Sequence, residues 1–319
     1  MVLFGLFEAG SLLSREPTRT LLGERSDVDR VRVKLGKAGV QVDTEIEREP
    51  PLSVEIRLRD TDIEEYIKPI LAPTLEETLR RISTATHFIP DIGEIEESFR
   101  SGLSSLFSRI SLRDGYMTSK SVDDNELRSR ALDEDMLRRI LLMTPFLSYL
   151  FTKLKRDYSM IPDSLFNHFH EWGFCKPRNL ALLRKGFEHY FREDYVSALH
   201  ILVFQFEGIL RNLLRETNRP VTRPPELGRM GGAATLGSLL QDEEFRQKAG
   251  TSLTRYYGLT LNDPNGLNLR NNLAHALMEV EEMKMPIVEL VLYLLLSLTR
   301  FRIEPKNAEK TSDSSTTIQ

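Results

Sequence analysis

Between residues 194 and 217, Leu199, Leu202, Val203, Phe206, Leu210, Leu213 and Leu214 recur at helical spacing and draw an apolar stripe about 120° wide. Glu207, Arg211 and Arg215 run beside it at i, i+4 steps. A helix patterned this way must lay one wall against other helices, which confines the region to a helical bundle. From Pro177 onward the periodicity predicts helices over 179–192, 194–217, 235–258, 266–283 and 286–302, with a Pro/Gly-rich link from Pro220 to Gly232. The longest apolar run, Ile287 to Leu298, falls short of the about 20 residues that span a bilayer. It predicts a buried helix, and membrane contact is not expected.

The first part of the chain is patterned differently. Val31, Val33 and Leu35, then Val40, Val42 and Ile46, then Val54, Ile56 and Leu58 alternate as strands do, and two glycines at 36 and 39 suit a hairpin connection. From Thr74 the pattern turns helical, with capping starts at Thr74-x-x-Glu77 and Asp123-x-x-Glu126. Ser111 to Asp124 reads as a loop, and Leu127 to Tyr158 as a long amphipathic stretch divided at Pro145. The expected fold class is mainly α. It comprises a small α/β element over 1–72, a helical middle region over 73–177, a helical bundle over 178–303 and a disordered Ser/Thr-rich tail over 304–319.

Charge limits the partners. With 43 Lys+Arg against 47 Asp+Glu the chain carries a net charge of -4, so it is not built to coat nucleic acid through bulk charge. Residues 181 to 305 balance at 15 basic and 15 acidic side chains, so a polyanion would have to be met at a local site. The lone Cys175 excludes an intramolecular disulfide and a Cys-rich zinc site. Met1 to Glu8 is apolar but lacks a basic start and a cleavage site, so a cytoplasmic protein is expected.

Asp263-Pro-Asn-Gly-Leu-Asn-Leu-Arg270-Asn271-Asn272-Leu273-Ala274-His275-Ala276-Leu277 is the stretch richest in chemistry. Pro264 and Gly266 mark a turn, and a helix is expected to start between Asn265 and Asn268. Helical geometry puts Leu269, Leu273 and Leu277 on the buried stripe, with Asn268, Asn271, Asn272 and His275 opposite. Asn271 and His275 are i, i+4 neighbours whose side chains can meet. Capping and solvation alone would also explain Asn and His near a helix start.

Arg270, Asn271 and, three intervening residues further, His275 resemble the signature of the HEPN superfamily, the higher eukaryote and prokaryote nucleotide-binding domains. Flanking text extends the resemblance: Tyr195-x-x-Ala198-Leu-His200-x-Leu202-x-x-Gln205-x-Glu207-Gly208-x-Leu210-Arg211, Thr235 to Leu240, and Asp263 to Asn271. These blocks are similar to the HEPN-type domain of the endoplasmic-reticulum membrane-associated RNA degradation protein and of related bacterial proteins, over about residues 178 to 303. The resemblance implies metal-independent RNA cleavage, in which the ribose 2′-hydroxyl attacks the adjacent phosphate and leaves a 2′,3′-cyclic phosphate, with two protomers pairing at one composite site. His275 then suits proton exchange near neutral pH, Arg270 the phosphate, and Asn271 the orientation of His275 or a phosphate oxygen. Arg270 and His275 stand about 140° apart around a helix, which one monomer would not bring together. A homodimer with an isologous interface is therefore expected.

For RNA contact the candidates are Arg211, Arg215 and Arg219, which share one ridge, followed by Arg223 and Arg229. An ordinary solvated face, with Glu207 and Arg211 as an ion pair, is the alternative. Nothing indicates reading of DNA or of base sequence. His168-Phe-His170-Glu171 near Trp172 and Cys175 does not make a metal site, because the two histidines point about 200° apart on a helix. His87, His189 and His200 are isolated, and no Walker loop, Rossmann fingerprint or nucleophile elbow is present. No metal or cofactor is expected. The rival to a ribonuclease is a catalytically silent HEPN-like module that binds RNA, a nucleotide or a protein; Glu279, Glu281 and Glu282 beyond the motif would repel RNA if they shared its face.

Overall fold

A computed structural model describes residues 59–100, 110–113, 116–120, 124–225 and 230–302. The strand pattern of 29–58, Asp123, Arg229 and the tail after Arg302 lie outside the described residues. The chain is mainly helical: α1 (Asp60–Ile67), α2 (Leu75–Thr84), α3 (Ile92–Arg100), α4 (Asp124–Asp157), α5 (Pro162–Trp172), α6 (Pro177–Phe191), α7 (Tyr195–Glu216), α8 (Leu236–Leu240), α9 (Glu243–Ala249), α10 (Thr251–Leu261), α11 (Leu269–Ala274) and α12 (Met285–Leu298). Two antiparallel hairpins interrupt the helices, β1 (Ile110–Arg113) with β2 (Tyr116–Lys120) and β3 (Thr222–Arg223) with β4 (Gly232–Ala233). The first replaces the loop expected over 111–124.

The centre of the fold is α12. Every residue from Val288 to Leu298 is buried, so the helix must be covered all round, and it packs against α2, α4 and α7. The longest antiparallel seam joins α6 and α7 across the three-residue turn from Arg192 to Asp194, where Glu193 takes φ 62° and Asp194 caps α7 through Ser197 N–H. Gly186 on α6 lies so close to Leu202 that a Cβ would come within 2.5 Å of that side chain. One contiguous apolar cluster runs from Ile67 to Leu298, so the break at residue 177 separates two helices and not two cores.

Two departures from the periodicity have clear causes. Pro145 does not divide α4, which runs unbroken through it. Proline removes the N–H that would bond Leu141 carbonyl, and the hydroxyl of Thr144 donates to that oxygen instead, at 2.7 Å. The helix expected over 235–258 is three short ones, since Asp242 starts a new cap on Phe245 N–H and Gly250, at φ 80°, ends α9. Thr74 caps α2 as its spacing predicts, accepting from Glu77 N–H.

Candidate functional site

Residues 263–277 are shaped by a turn and two helix ends. Asp263, Pro264, Asn265 and Gly266 form a β-turn closed by Gly266 N–H on Asp263 carbonyl at 2.9 Å, with the Asp263 carboxylate accepting from Asn265 N–H. The chain then crosses the end of α10, where Leu267 N–H donates to Leu259 carbonyl at 2.7 Å. Gly266 is obligatory there, because a Cβ would fall 1.9 Å from that carbonyl oxygen. Asn268 precedes α11 in the left-handed region at φ 48°.

Helix α11 is much shorter than the 266–283 segment that periodicity suggests. Leu277 N–H bonds Asn272 carbonyl at 2.8 Å and Ala276 N–H bonds Leu273 carbonyl at 3.3 Å, with Ala276 at φ 53°. This is a Schellman ending, built on an alanine where glycine is the usual residue. It places His275 at the C-cap and turns Leu277 out of the core to 55% exposure, so Leu277 is not part of the buried stripe. Asn268 and Asn272, expected on the open side, are buried. The Asn272 amide donates to Leu267 carbonyl, and Asn268 accepts from Asn271, so both serve the loop.

His275 is exposed, as its position predicts, and its ring makes no hydrogen bond or ion pair among the described residues. Asn271 meets it through backbone alone, His275 N–H to Asn271 carbonyl at 3.0 Å. The Asn271 side chain is committed elsewhere: its amide donates to Asn262 carbonyl and Asn268 Oδ1, and its oxygen accepts from Arg270 Nη1 at 3.0 Å. Asn271 thus orients Arg270 rather than His275. Arg270 Nε donates to Glu207 Oε2 on α7 at 3.2 Å. The other oxygen of Glu207 takes Arg211 Nη2, which also donates to Ala234 carbonyl at 2.8 Å.

The expected arginine ridge is therefore divided. Arg219 is a strut, bonded to Asp242 at 2.8 Å and near Glu244, which ties the end of α7 to the cap of α9. Arg211 is drawn into the Glu207 bridge. Arg215 has a neutral partner, Asn212 Oδ1 at 3.3 Å, and Arg223 is exposed on β3. Asn212 belongs to a buried chain of amides in which it donates to Asn179, which donates to Gln205 at 3.0 Å. Gly208 makes room for this chain, since a Cβ there would sit 2.9 Å from Asn179 Nδ2.

The histidines at 168 and 170 diverge as expected: His168 is buried against Thr299 Oγ1 at 2.9 Å and held neutral by that burial, whereas His170 is exposed and stacks on Phe166. No group of three metal-type side chains converges among the described residues. His189 is paired with Asp194 at 2.9 Å. Burial raises the Cys175 thiol to about 12, which leaves it unreactive near neutrality. No described helix is long and apolar enough to cross a membrane.

Two features were not legible in spacing. Glu207 reaches Arg270 across 63 positions, and only the packing of α11 on α7 brings them together. Glu289 sits wholly inside the apolar run of α12 and bonds Tyr190; a single acid within such a run was its one sequence signal. Compared with models of protein families, with curated proteins and with solved structures, the chain matches none.

Proposed function

We propose that this chain is a metal-independent endoribonuclease of HEPN type that works as a homodimer. In the reaction the RNA 2′-oxygen bonds to the adjacent phosphorus while the bond to the 5′-oxygen breaks. The 2′-hydroxyl proton passes to one His275, and a proton from His275 of the partner subunit goes to the departing oxygen. Products are a 2′,3′-cyclic phosphate and a 5′-hydroxyl. Arg270 holds the phosphate and the charge that builds on it in the transition state.

The observation that carries this reading is the contrast between the two residues. His275 is exposed and uncommitted at the end of α11, open to a substrate, while Arg270 is fixed by Glu207 and Asn271. Leu277 and Val280, at 55% and 62% exposure, put apolar surface close to His275 in sequence, which suits approach by a second copy. The test is incubation of purified protein with mixed RNA in EDTA, beside His275→Ala and Arg270→Ala. Cyclic-phosphate ends that survive chelation and vanish in both variants support the enzyme; equal cleavage by all three proteins would sink it.

A specific observation favours the catalytically silent module, one that binds RNA, a nucleotide or a protein, as the second reading. Glu207 already neutralises part of the arginine charge, and Glu279, Glu281 and Glu282 are exposed just beyond the motif. Binding of RNA without cleavage would select it.

A further inference from the structure

We infer that Glu207 is a positioning residue that joins Arg211 and Arg270 into one receptor for a single phosphodiester anion. The inference rests on the reading of Arg270 as the phosphate-holding group. The side chains of Glu207, Arg211 and Arg270 are only 13%, 18% and 30% exposed, so water screens them poorly. Charges withdrawn in this way need compensation. Two guanidinium groups share one carboxylate, and their other acceptors, Ala234 carbonyl and Asn271 Oδ1, are neutral. Among the described residues one positive charge is left over.

An ion pair meant only to tie α11 to α7 would need one arginine. The second adds charge that no second acidic side chain among the described residues answers, and the two neutral acceptors fix the guanidinium planes without cancelling it. Among the described residues Arg270 Nη2 and Arg211 Nη1 have no acceptor, and Arg211 Nε is buried without one. A phosphodiester carries one negative charge near neutrality and presents two free oxygens, which matches both the surplus charge and a pair of donors. A phosphate monoester near its dianionic state would exceed it by one. Arg215, one turn beyond Arg211 and held among the described residues by an amide oxygen, is placed for the neighbouring phosphate of a strand.

Simple charge and positioning give opposite expectations for Glu207→Gln. Removing a negative charge should tighten RNA binding, whereas freeing the two guanidinium groups should slow turnover. The kinetic result expected is a KM for RNA unchanged or lowered, with kcat reduced about tenfold or more and partly restored in Glu207→Asp. Unchanged kcat in Glu207→Gln would overturn the inference, as would an effect confined to KM.

A readout independent of cleavage is the arginine Nε–H NMR signals of the full chain, assigned through Arg211→Lys and Arg270→Lys. Dimethyl phosphate should move both signals saturably, and at lower concentration than methyl phosphate; no response beyond that to chloride overturns the receptor. If wild type leaves RNA uncut while dimethyl phosphate still moves the two signals, the enzyme reading falls and the receptor stands. If RNA is cut but the signals do not respond, the receptor falls and the enzyme stands. Should Glu207→Gln fail to fold, Glu207→Asp and Arg211→Lys carry the same kinetic comparison.

Discussion

Glu289→Gln should change the pH dependence of stability more than any other single substitution on α12. The carboxyl is fully buried at the contact of α12 with α4 and α6. Tyr190 hydroxyl donates to Oε1 at 2.6 Å, Lys155 Nζ lies 3.8 Å from the same oxygen, and Oε2 has no hydrogen-bond partner among the described residues. Burial pushes the carboxyl up to about 7 from an ordinary 4.5, against the opposing pull of Ser148, Tyr190 and Lys155. The folded chain therefore holds a proton that the unfolded chain releases between those two values. Its contribution to stability is complete below about pH 4.5 and is lost as pH rises through 7. Each pH unit between the two values removes about 1.4 kcal/mol, which makes the whole loss about 3 kcal/mol.

Glutamine keeps an acceptor for Tyr190 and has no proton to lose. Urea unfolding of both proteins from pH 4.5 to 8, followed by circular dichroism, isolates the group as the difference between the two curves. Wild type should lose about 3 kcal/mol relative to Glu289→Gln across that range. A flat difference would refute the argument. A rising one, with wild type gaining on the variant, would mean that Glu289 is ionised and paired with Lys155 throughout.

Three further substitutions test the local geometry. Ala276→Gly should raise unfolding free energy by about 1 kcal/mol, read from urea midpoints, because glycine adopts the positive φ of the Schellman ending without cost to a Cβ. Gly266→Ala should destabilise by several-fold more than that, since the added carbon would lie 1.9 Å from Leu259 carbonyl oxygen; a variant within about 0.5 kcal/mol of wild type would contradict the placement of this loop. Thr144→Val should cost about 1 to 3 kcal/mol in the same assay, because the Leu141 carbonyl that Pro145 cannot serve loses its remaining donor.

Periodicity alone determines that the chain is mainly helical, because an apolar stripe such as that of α7 and an unbroken run such as that of α12 admit no other burial. It also determines that His275 faces away from the core, since its angle from Leu269 and Leu273 is set by helix geometry. Where helices stop is decided by other forces. Pro145 reads as a break until Thr144 is seen to satisfy the orphaned carbonyl, and the end of α11 depends on Ala276 accepting a left-handed conformation that its type does not announce.

The candidate site divides in the same way. The residue types Arg270, Asn271 and His275 and their spacing were legible, but their commitments were not: Asn271 turns to Arg270, Arg219 to Asp242, and Glu207 to two arginines at once. Spacing carries information only about neighbours within a few turns of one helix. A carboxylate that meets a guanidinium 63 residues away is brought there by the packing of α11 on α7, and so only the tertiary structure decides which of these charges is paired inside the fold.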